Sequence, residues 1–189
     1  KRVYSPYSNI VSATPEVRMS TPKLKSVTER GYNSLNINWE KADGVSYYQV
    51  YRSTSPNGKY ALLGTYDENT TSSISRALIP NQTYYYKVRG YCWANGERVF
   101  TRFSNIISGT PKMKAPTLKS VEPNTYNSLR INWEKAEGST LYQVYRSTSP
   151  NGKYALLGTF DEDTTEKIST SLVTGQTYYY KVRGYRWVN

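Results

Sequence analysis

The sequence lacks histidine altogether and has one cysteine, Cys92, among its 189 residues. Without histidine, a Ser-His or Cys-His catalytic pair and a His-ligated metal site are excluded. A single cysteine cannot form a disulfide within the chain. No apolar run approaches the roughly 18 residues of a transmembrane helix, and no signal-peptide pattern is present. We therefore expect no enzyme, no catalytic residue, no cofactor, no metal and no membrane insertion.

Phenylalanine is also scarce, with 3 residues, whereas the chain has 20 tyrosines and 4 tryptophans. Tyrosine favours β-strands, because its ring can pack while its hydroxyl stays hydrated. The net charge of +11 favours polyanionic surroundings. This charge is spread over both halves of the chain and no nucleic-acid motif occurs, so we expect no nucleic acid as a partner.

The chain contains an internal repeat. Residues 22–95 align with residues 116–189 at a constant offset of 94 without a gap, and these two copies differ at 21 of 74 positions. A period this long is typical of a small β-domain used as a bead in an array. Cys92 is replaced by Arg186 in the second copy, which indicates an exposed position without a function of its own.

Apolar and polar residues alternate in each copy, as they do in half-buried β-strands. Two such runs contain Leu35, Ile37 and Trp39, and Tyr84, Tyr86 and Val88. The sequence SPNG at 55–58 is a tight-turn signal, with Gly58 free to adopt a positive φ. No sustained helical periodicity is present. We predict an all-β fold of two tandem antiparallel sandwiches.

The second of these runs, with the residues before it, resembles the entry into strand F of the fibronectin type III family. The matching residues are Leu78, Pro80, Asn81, Tyr84, Tyr86 and Val88 in the first copy and Leu172, Gly175, Tyr178 and Val182 in the second. Tyr84 matches the family's tyrosine-corner residue, whereas Thr174 stands where the family prefers proline. Trp39 and Trp133 match its core tryptophan. The resemblance implies immunoglobulin-like sandwiches, which the family uses mainly as spacers and binding modules.

Residues 2–15 (RVYSPYSNIVSATP) are similar to residues 98–111 (RVFTRFSNIISGTP), which complete the F–G hairpin after an Asn-Gly turn at 95–96. We therefore interpret residues 2–14 as a G strand without a domain before it, and the second sandwich as lacking its own G strand. The expected domains are 1–15, the G strand of a preceding or neighbouring repeat; 16–111, the first fibronectin type III-like domain; and 112–189, the second, with strands A to F.

An open edge of this kind is a template for another strand, and this suggests assembly with a second copy of the chain. The expected donor residues are Val3, Tyr4, Tyr7, Ile10 and Val11, and the expected acceptor residues are Tyr178, Tyr180, Val182 and Trp187. Ile10 and Val11 are both apolar, so the sequence does not decide which of them faces the core. Repetition of this contact would give a head-to-tail filament. The alternative is an excerpt of a longer covalent array that serves as a spacer or as a glycan- or cell-wall-binding module of a surface adhesin or secreted enzyme.

The outward positions of strand F form a repeated aromatic and basic set. Its members are Tyr85, Lys87, Arg89 and Tyr91 in the first copy and Tyr179, Lys181, Arg183 and Tyr185 in the second. Such a face could bind an anionic glycan or cell-wall polymer by stacking and charge. The simpler interpretation is a hydrated sheet face that the two copies share by descent.

Two acidic stretches, DENTT at 67–71 and DEDTT at 161–165, offer carboxylates that could bind calcium. They lack the glycine and the spacing of a calcium loop, so we interpret them as solvated turns. The sequence YRSTSPNGKYALLGT is similar to the C–C′ hairpin of many bacterial surface proteins of the family. We therefore expect an extracellular or cell-surface protein of bacterial origin, and the start at Lys1 suggests a processed product or an excised piece.

Overall fold

The computed structural model describes residues 1–188, which form strands, turns and extended segments. The strands of the first sandwich are β1 (Leu24–Gly31), β2 (Ser34–Trp39), β3 (Tyr47–Ser53), β4 (Ala61–Asp67), β5 (Ser72–Ser75), β6 (Tyr84–Ala94), β7 (Glu97–Phe100) and β8 (Ile107–Gly109). Those of the second are β9 (Thr117–Thr125), β10 (Ser128–Glu134), β11 (Leu141–Ser147), β12 (Ala155–Asp161), β13 (Glu166–Ser169) and β14 (Tyr179–Tyr185). Within these residues no helix is long and apolar enough to cross a membrane.

Each sandwich is made of two antiparallel sheets. In the first sandwich, one sheet has the order β1-β2-β5, and the other has the order β4-β3-β6-β7, with β8 also paired to β6. In the second sandwich the orders are β13-β10-β9 and β12-β11-β14. The all-β tandem sandwich predicted from the alternating pattern is therefore confirmed, and the described residues of the second sandwich contain no counterpart of β7 or β8.

The core of the first sandwich lies between its two sheets. It is formed by Leu24, Leu35, Ile37, Trp39, Ala42, Val45, Tyr48, Val50, Leu78, Tyr84, Tyr86 and Val88. These residues follow the period-two alternation of the sequence, because successive side chains of a strand point to opposite faces. The fully buried cluster of the second sandwich is smaller and contains Ile131, Trp133, Tyr142 and Val144. Tyr180 and Val182 border this cluster only as partly buried residues.

The turns confirm one sequence expectation and correct another. Asn95 and Gly96, between β6 and β7, both have positive φ, at 52° and 83°, as a two-residue hairpin turn requires. The turn at 55–58 also forms, and the Gly58 N–H donates to the Ser55 carbonyl oxygen over 3.3 Å. Gly58 does not adopt a positive φ, so that expectation is wrong. Glycine suits this position for another reason: the chain packs closely here, and a Cβ on residue 58 would lie 3.0 Å from the Ser55 Cβ.

Candidate functional site

One sheet of the second sandwich ends in an open strand edge, whereas the equivalent strand of the first sandwich is covered. In the first sandwich, β6 pairs with β3 on one side and with β7 and β8 on the other. In the second, β14 pairs with β11, in the register of Val144 with Val182. Within residues 1–188, no strand pairs with the outer side of β14. This outer side is the candidate site.

The missing neighbour changes the burial of the strand. Tyr86 and Val88 in β6 are fully buried, at 0% exposure each. Their counterparts Tyr180 and Val182 are only half-buried. Both strands carry the same residues at these positions, so the difference comes from residues 97–109, the covering segment, which lies against β6. The outer side of β14 therefore exposes apolar side chains along with unpaired backbone groups.

The remaining acceptor residues lie at the two ends of the same edge. Tyr178 is half-buried, whereas its counterpart Tyr84 is buried. Trp187 is 79% exposed and its ring meets that of Tyr185 edge to face, with the centroids 6.1 Å apart. Tyr180 and Val182 thus face the core, whereas Trp187 lies beyond the end of β14 and packs with Tyr185 on the outward side.

The tyrosine corner is formed in both sandwiches, so β14 lies in its normal place. The Ile79 N–H donates to the Tyr84 hydroxyl over 2.9 Å, and the Val173 N–H donates to the Tyr178 hydroxyl over 3.0 Å. Thr174, which stands in place of the expected proline, donates its hydroxyl to the Tyr126 carbonyl oxygen over 2.8 Å. The open edge is therefore part of a properly formed sandwich.

The first sandwich shows how such an edge is filled. The Ser104 N–H donates to the Val88 carbonyl oxygen over 2.7 Å, and the Ser104 hydroxyl oxygen accepts from the Val88 N–H over 3.0 Å. Thr101 makes the same pair of bonds with Gly90, each over 2.9 Å. These two residues lie between β7 and β8, where the ladder itself is interrupted. Their side chains therefore complete the backbone hydrogen bonding of β6.

The outward cations of β6 lie against aromatic rings, of which Phe100 and Phe103 come from the covering segment. The Lys87 ammonium lies 4.1 Å from the Tyr60 ring centroid and 4.0 Å from that of Phe103. The Arg89 guanidinium lies 3.8 Å from the Phe100 ring centroid. All three distances are in the range of favourable cation–π contacts. The basic face of the first sandwich is therefore largely covered by its own chain.

Tyr91 and Tyr85, the other members of the predicted polymer-binding face of the first sandwich, also lie on this side of β6. Tyr91 is buried, because Tyr47 stacks on it with centroids 5.1 Å apart and Phe100 packs beside it at 5.4 Å. Tyr85 is half-buried. The flat face expected from the sequence is thus not present here, since β7 and the segment after it fold across it.

In the second sandwich, the equivalent cations make the contacts with their own sheet that are seen in the first sandwich. The Lys181 ammonium lies 4.0 Å from the Tyr154 ring centroid, and the Arg183 Nε donates to the Gln143 Oε1 over 2.8 Å. No ring among the described residues covers these cations from the outer side, and both are exposed. A cavity of about 350 Å³ lies here, lined by Tyr145, Tyr154, Lys181, Val182 and Arg183. Tyr179 and Tyr185, on the same side of β14, are half-buried.

The expected donor residues lie outside every strand of the structure. Val3, Tyr4, Tyr7, Ile10 and Val11 are all at least 79% exposed. The structure does not bring them to β14 within one chain. Along the N-terminal residues, the first backbone hydrogen bond to the first sandwich is made by Ser20. Its N–H donates to the Asp43 carbonyl oxygen over 3.0 Å.

The acidic stretches form turns that use their carboxylates internally. Asp67 Oδ1 accepts from the Asn69 N–H, the Thr70 N–H and the Thr70 hydroxyl, over 3.0, 2.9 and 2.8 Å. Asp161 makes the equivalent bonds with Asp163 and Thr164. In residues 1–188, no group of three or more acidic, cysteine or histidine side chains is placed to hold a metal ion.

No protein-family model matches the chain, and no curated protein matches it. Among solved structures it is similar to a two-domain fibronectin type III segment of chicken tenascin, with a TM-score of 0.51 and 20% sequence identity. The likeness covers 86% of this chain and 90% of the tenascin segment. At this identity the comparison shows the fold, which is a tandem pair of fibronectin type III-like sandwiches.

Proposed function

We propose that this chain is a non-enzymatic, extracellular structural protein whose sandwiches are beads of a surface fibre. In this proposal, residues 2–14 of one copy cover the outer side of β14 in the next copy. The observation that carries it is the contrast between β6, which is covered by residues 97–109, and β14, which presents the same residues uncovered.

The physical reason for this pairing is the state of the two surfaces in a single copy. β14 exposes backbone N–H and C=O groups together with half-buried apolar side chains, and such an edge recruits a further strand. Residues 2–14 expose five large apolar side chains, and burying those that face the acceptor would be favourable at about 25 cal/mol per Å². Each surface therefore gains from covering the other.

The contact is heterologous, because the donor segment and the acceptor edge are different parts of the chain. A repeated heterologous contact gives an open filament, unless its rotation closes a ring or a reciprocal dimer. A longer polypeptide of many such repeats would supply the same strand covalently and give the same succession of beads. The partner of this chain is therefore itself, either as a second copy or as a further repeat.

The extracellular location and the absence of catalysis are parts of the same proposal. They are supported by the tandem fibronectin type III-like fold, which serves mainly as a spacer and binding module. They are also supported by the lack of histidine, which removes the commonest general base.

The test compares the sizes of three polypeptides by light scattering and negative-stain microscopy. The first is residues 1–189, and the second lacks residues 1–14. The third is residues 1–189 with a copy of residues 96–111 appended after Asn189, so that the second sandwich receives a G strand within its own chain. We expect oligomers or filaments from the first polypeptide alone, because only it has both a free donor and an open acceptor.

A monomeric first polypeptide would overturn donation between copies and leave the covalent array as the source of the strand. Assembly that persists without residues 1–14 would also contradict the proposal, since the contact would then lie elsewhere. The appended polypeptide is the matched control. It keeps residues 1–14 but fills the acceptor edge, so its assembly would show that β14 is not the acceptor.

A further inference from the structure

We infer that the outer side of β14 binds residues 5–13 of a second copy in one register, in which Val11 faces the core and Ile10 faces solvent. This inference rests on the proposed function and specifies the docking of the two copies. It is argued from the first sandwich, where residues 101–109 occupy the equivalent edge of β6.

The two segments correspond residue by residue at an offset of 96, since Arg2 matches Arg98 and Pro15 matches Pro111. Ser5 and Ser8 stand at the positions of Thr101 and Ser104. Both donor serines therefore retain the hydroxyl that accepts from the N–H of the edge strand, which would be that of Gly184 and Val182.

Pro6 fits the same correspondence. A proline has no N–H and would break a continuous ladder. It matches Arg102, whose N–H makes no hydrogen bond among the described residues, since the backbone bonds to β6 on either side come from Thr101 and Ser104. The proline therefore falls at a position of this segment where no backbone donor is used.

The register decides between the two apolar neighbours. Ile107, the counterpart of Val11, pairs with Tyr86 and packs against the core. Ile106, the counterpart of Ile10, is 45% exposed. In the same register Val11 pairs with Tyr180 and packs against the core as Ile107 does, because side chains alternate along the strand.

Asn9 is the residue that fixes the register most specifically. Its counterpart Asn105 bridges to the opposite sheet, where the Leu24 N–H donates to Asn105 Oδ1 over 3.0 Å and Asn105 Nδ2 donates to the Leu24 carbonyl oxygen over 3.3 Å. Leu118 is the second-sandwich counterpart of Leu24, and it is half-buried where Leu24 is buried. Asn9 would hold the Leu118 backbone in the same way, and a slip of one residue would lose both bonds.

In the proposed docking, the Tyr7 ring of the second copy covers the cavity on the outer side of β14. Its counterpart Phe103 meets the Tyr51 ring edge to face, with centroids 5.2 Å apart, and covers Lys87 at 4.0 Å. In the second sandwich, Tyr145 and Lys181 line the equivalent cavity. The arrangement beneath the ring is already set, since Arg183 lies 5.3 Å from the Tyr145 ring centroid, the same distance as Arg89 from Tyr51.

One position requires an adjustment. Ala13 matches Gly109, where a Cβ would lie 2.6 Å from a methyl carbon of Val27. Val121, the counterpart of Val27, is 42% exposed. It therefore has room to turn away from the Ala13 methyl group.

The register is tested by disulfide mapping in full-length protein that carries Cys92→Ser. The proposed register pairs position 12 with position 179, as Ser108 pairs with Tyr85. We expect Ser12→Cys with Tyr179→Cys to give a ladder of cross-linked oligomers on a non-reducing gel. The matched control is Val11→Cys with Tyr179→Cys. Positions 11 and 179 lie opposite each other only in the register in which Ile10 faces the core. We expect this control to give at least tenfold less cross-linked product than the first pair.

Side-chain variants give a second measurement, made on assembly by light scattering. Val11→Asp is expected to abolish oligomers and Ile10→Asp to preserve them. Asn9→Ala is expected to raise the concentration needed for assembly about thirtyfold, because two hydrogen bonds of about 1 kcal/mol each are lost.

The results separate this inference from the proposed function. Strong cross-linking of the Val11→Cys pair, or assembly that survives Val11→Asp but not Ile10→Asp, would overturn the register while donation still held. Intact assembly without either cross-link would also overturn the register. Monomers of the parent protein at every concentration would overturn both.

Discussion

At the scale of single residues, tyrosine is used where phenylalanine would leave a backbone amide without a partner. The Tyr48 and Tyr142 rings are buried, and their hydroxyls accept from the N–H groups of Ala42 and Ala136 over 2.8 and 2.9 Å. The corner tyrosines act in the same way. Since a buried unsatisfied donor costs about 1–3 kcal/mol, the hydroxyl accounts for tyrosine at these four positions.

The turn at Asp67 is expected to loosen in acid. The Thr70 hydroxyl and N–H and the Asn69 N–H hold the pKa of the Asp67 carboxyl below its ordinary value of 3.8. A lowered pKa in the folded state stabilises the turn above the ordinary value, and this contribution is lost as the pH falls through the folded pKa. The amide chemical shift of Thr70 in an NMR titration should therefore move with a midpoint below 3.8.

The control for that titration is Asp67→Asn, which keeps an oxygen acceptor but removes the titrating group. In this variant the Thr70 shift should no longer follow the pH in that range. Asp161, whose pKa is lowered by the same contacts with Thr164 and Asp163, gives a repeat of the experiment in the second sandwich. A midpoint at or above the ordinary value would contradict the account.

At the scale of strands, alternation predicted β2 and β6 because their buried faces follow period two. It did not predict that Tyr91 and Lys87 are covered, because the cover comes from Phe100 and Phe103. Phe100 ends β7 and Phe103 lies where the chain leaves the ladder between β7 and β8, and no local pattern shows where such a segment folds. The sequence also left Ile10 and Val11 undecided. The side-chain direction of Ile107 in the first sandwich supplied the basis for distinguishing them.

The two copies of strand F are expected to respond differently to the same truncation. Val88→Ala should lower the free energy of unfolding of the first sandwich by about 2 kcal/mol, because it removes two methyl groups from a closed core. Val182→Ala should cost about 1 kcal/mol in protein lacking residues 1–14, where this side chain is only half-buried. Calorimetry that resolves the two sandwiches as separate transitions measures both. Equal costs in that protein would show that the missing strand does not open the core.

At the scale of the whole molecule, the two sandwiches meet through the β1–β2 turn of the first. The Tyr32 ring lies over Gly138 and 5.0 Å from the Arg186 guanidinium. Arg186 follows β14 directly and also donates to the Gly138 carbonyl oxygen over 3.4 Å. The outer side of β14 therefore belongs to a strand that is held firmly at its end, and this favours an acceptor edge that is formed before a donor arrives.

The most direct test of the central claim is amide hydrogen exchange along β14, measured in residues 1–189 and in protein lacking residues 1–14. The Val88 and Gly90 amides of β6 donate to Ser104 and Thr101 and should exchange equally slowly in both proteins. The account predicts that the Val182 and Gly184 amides exchange slowly only when residues 1–14 are present, because Ser8 and Ser5 of another copy then accept from them. Fast exchange of these two amides in both proteins would contradict it.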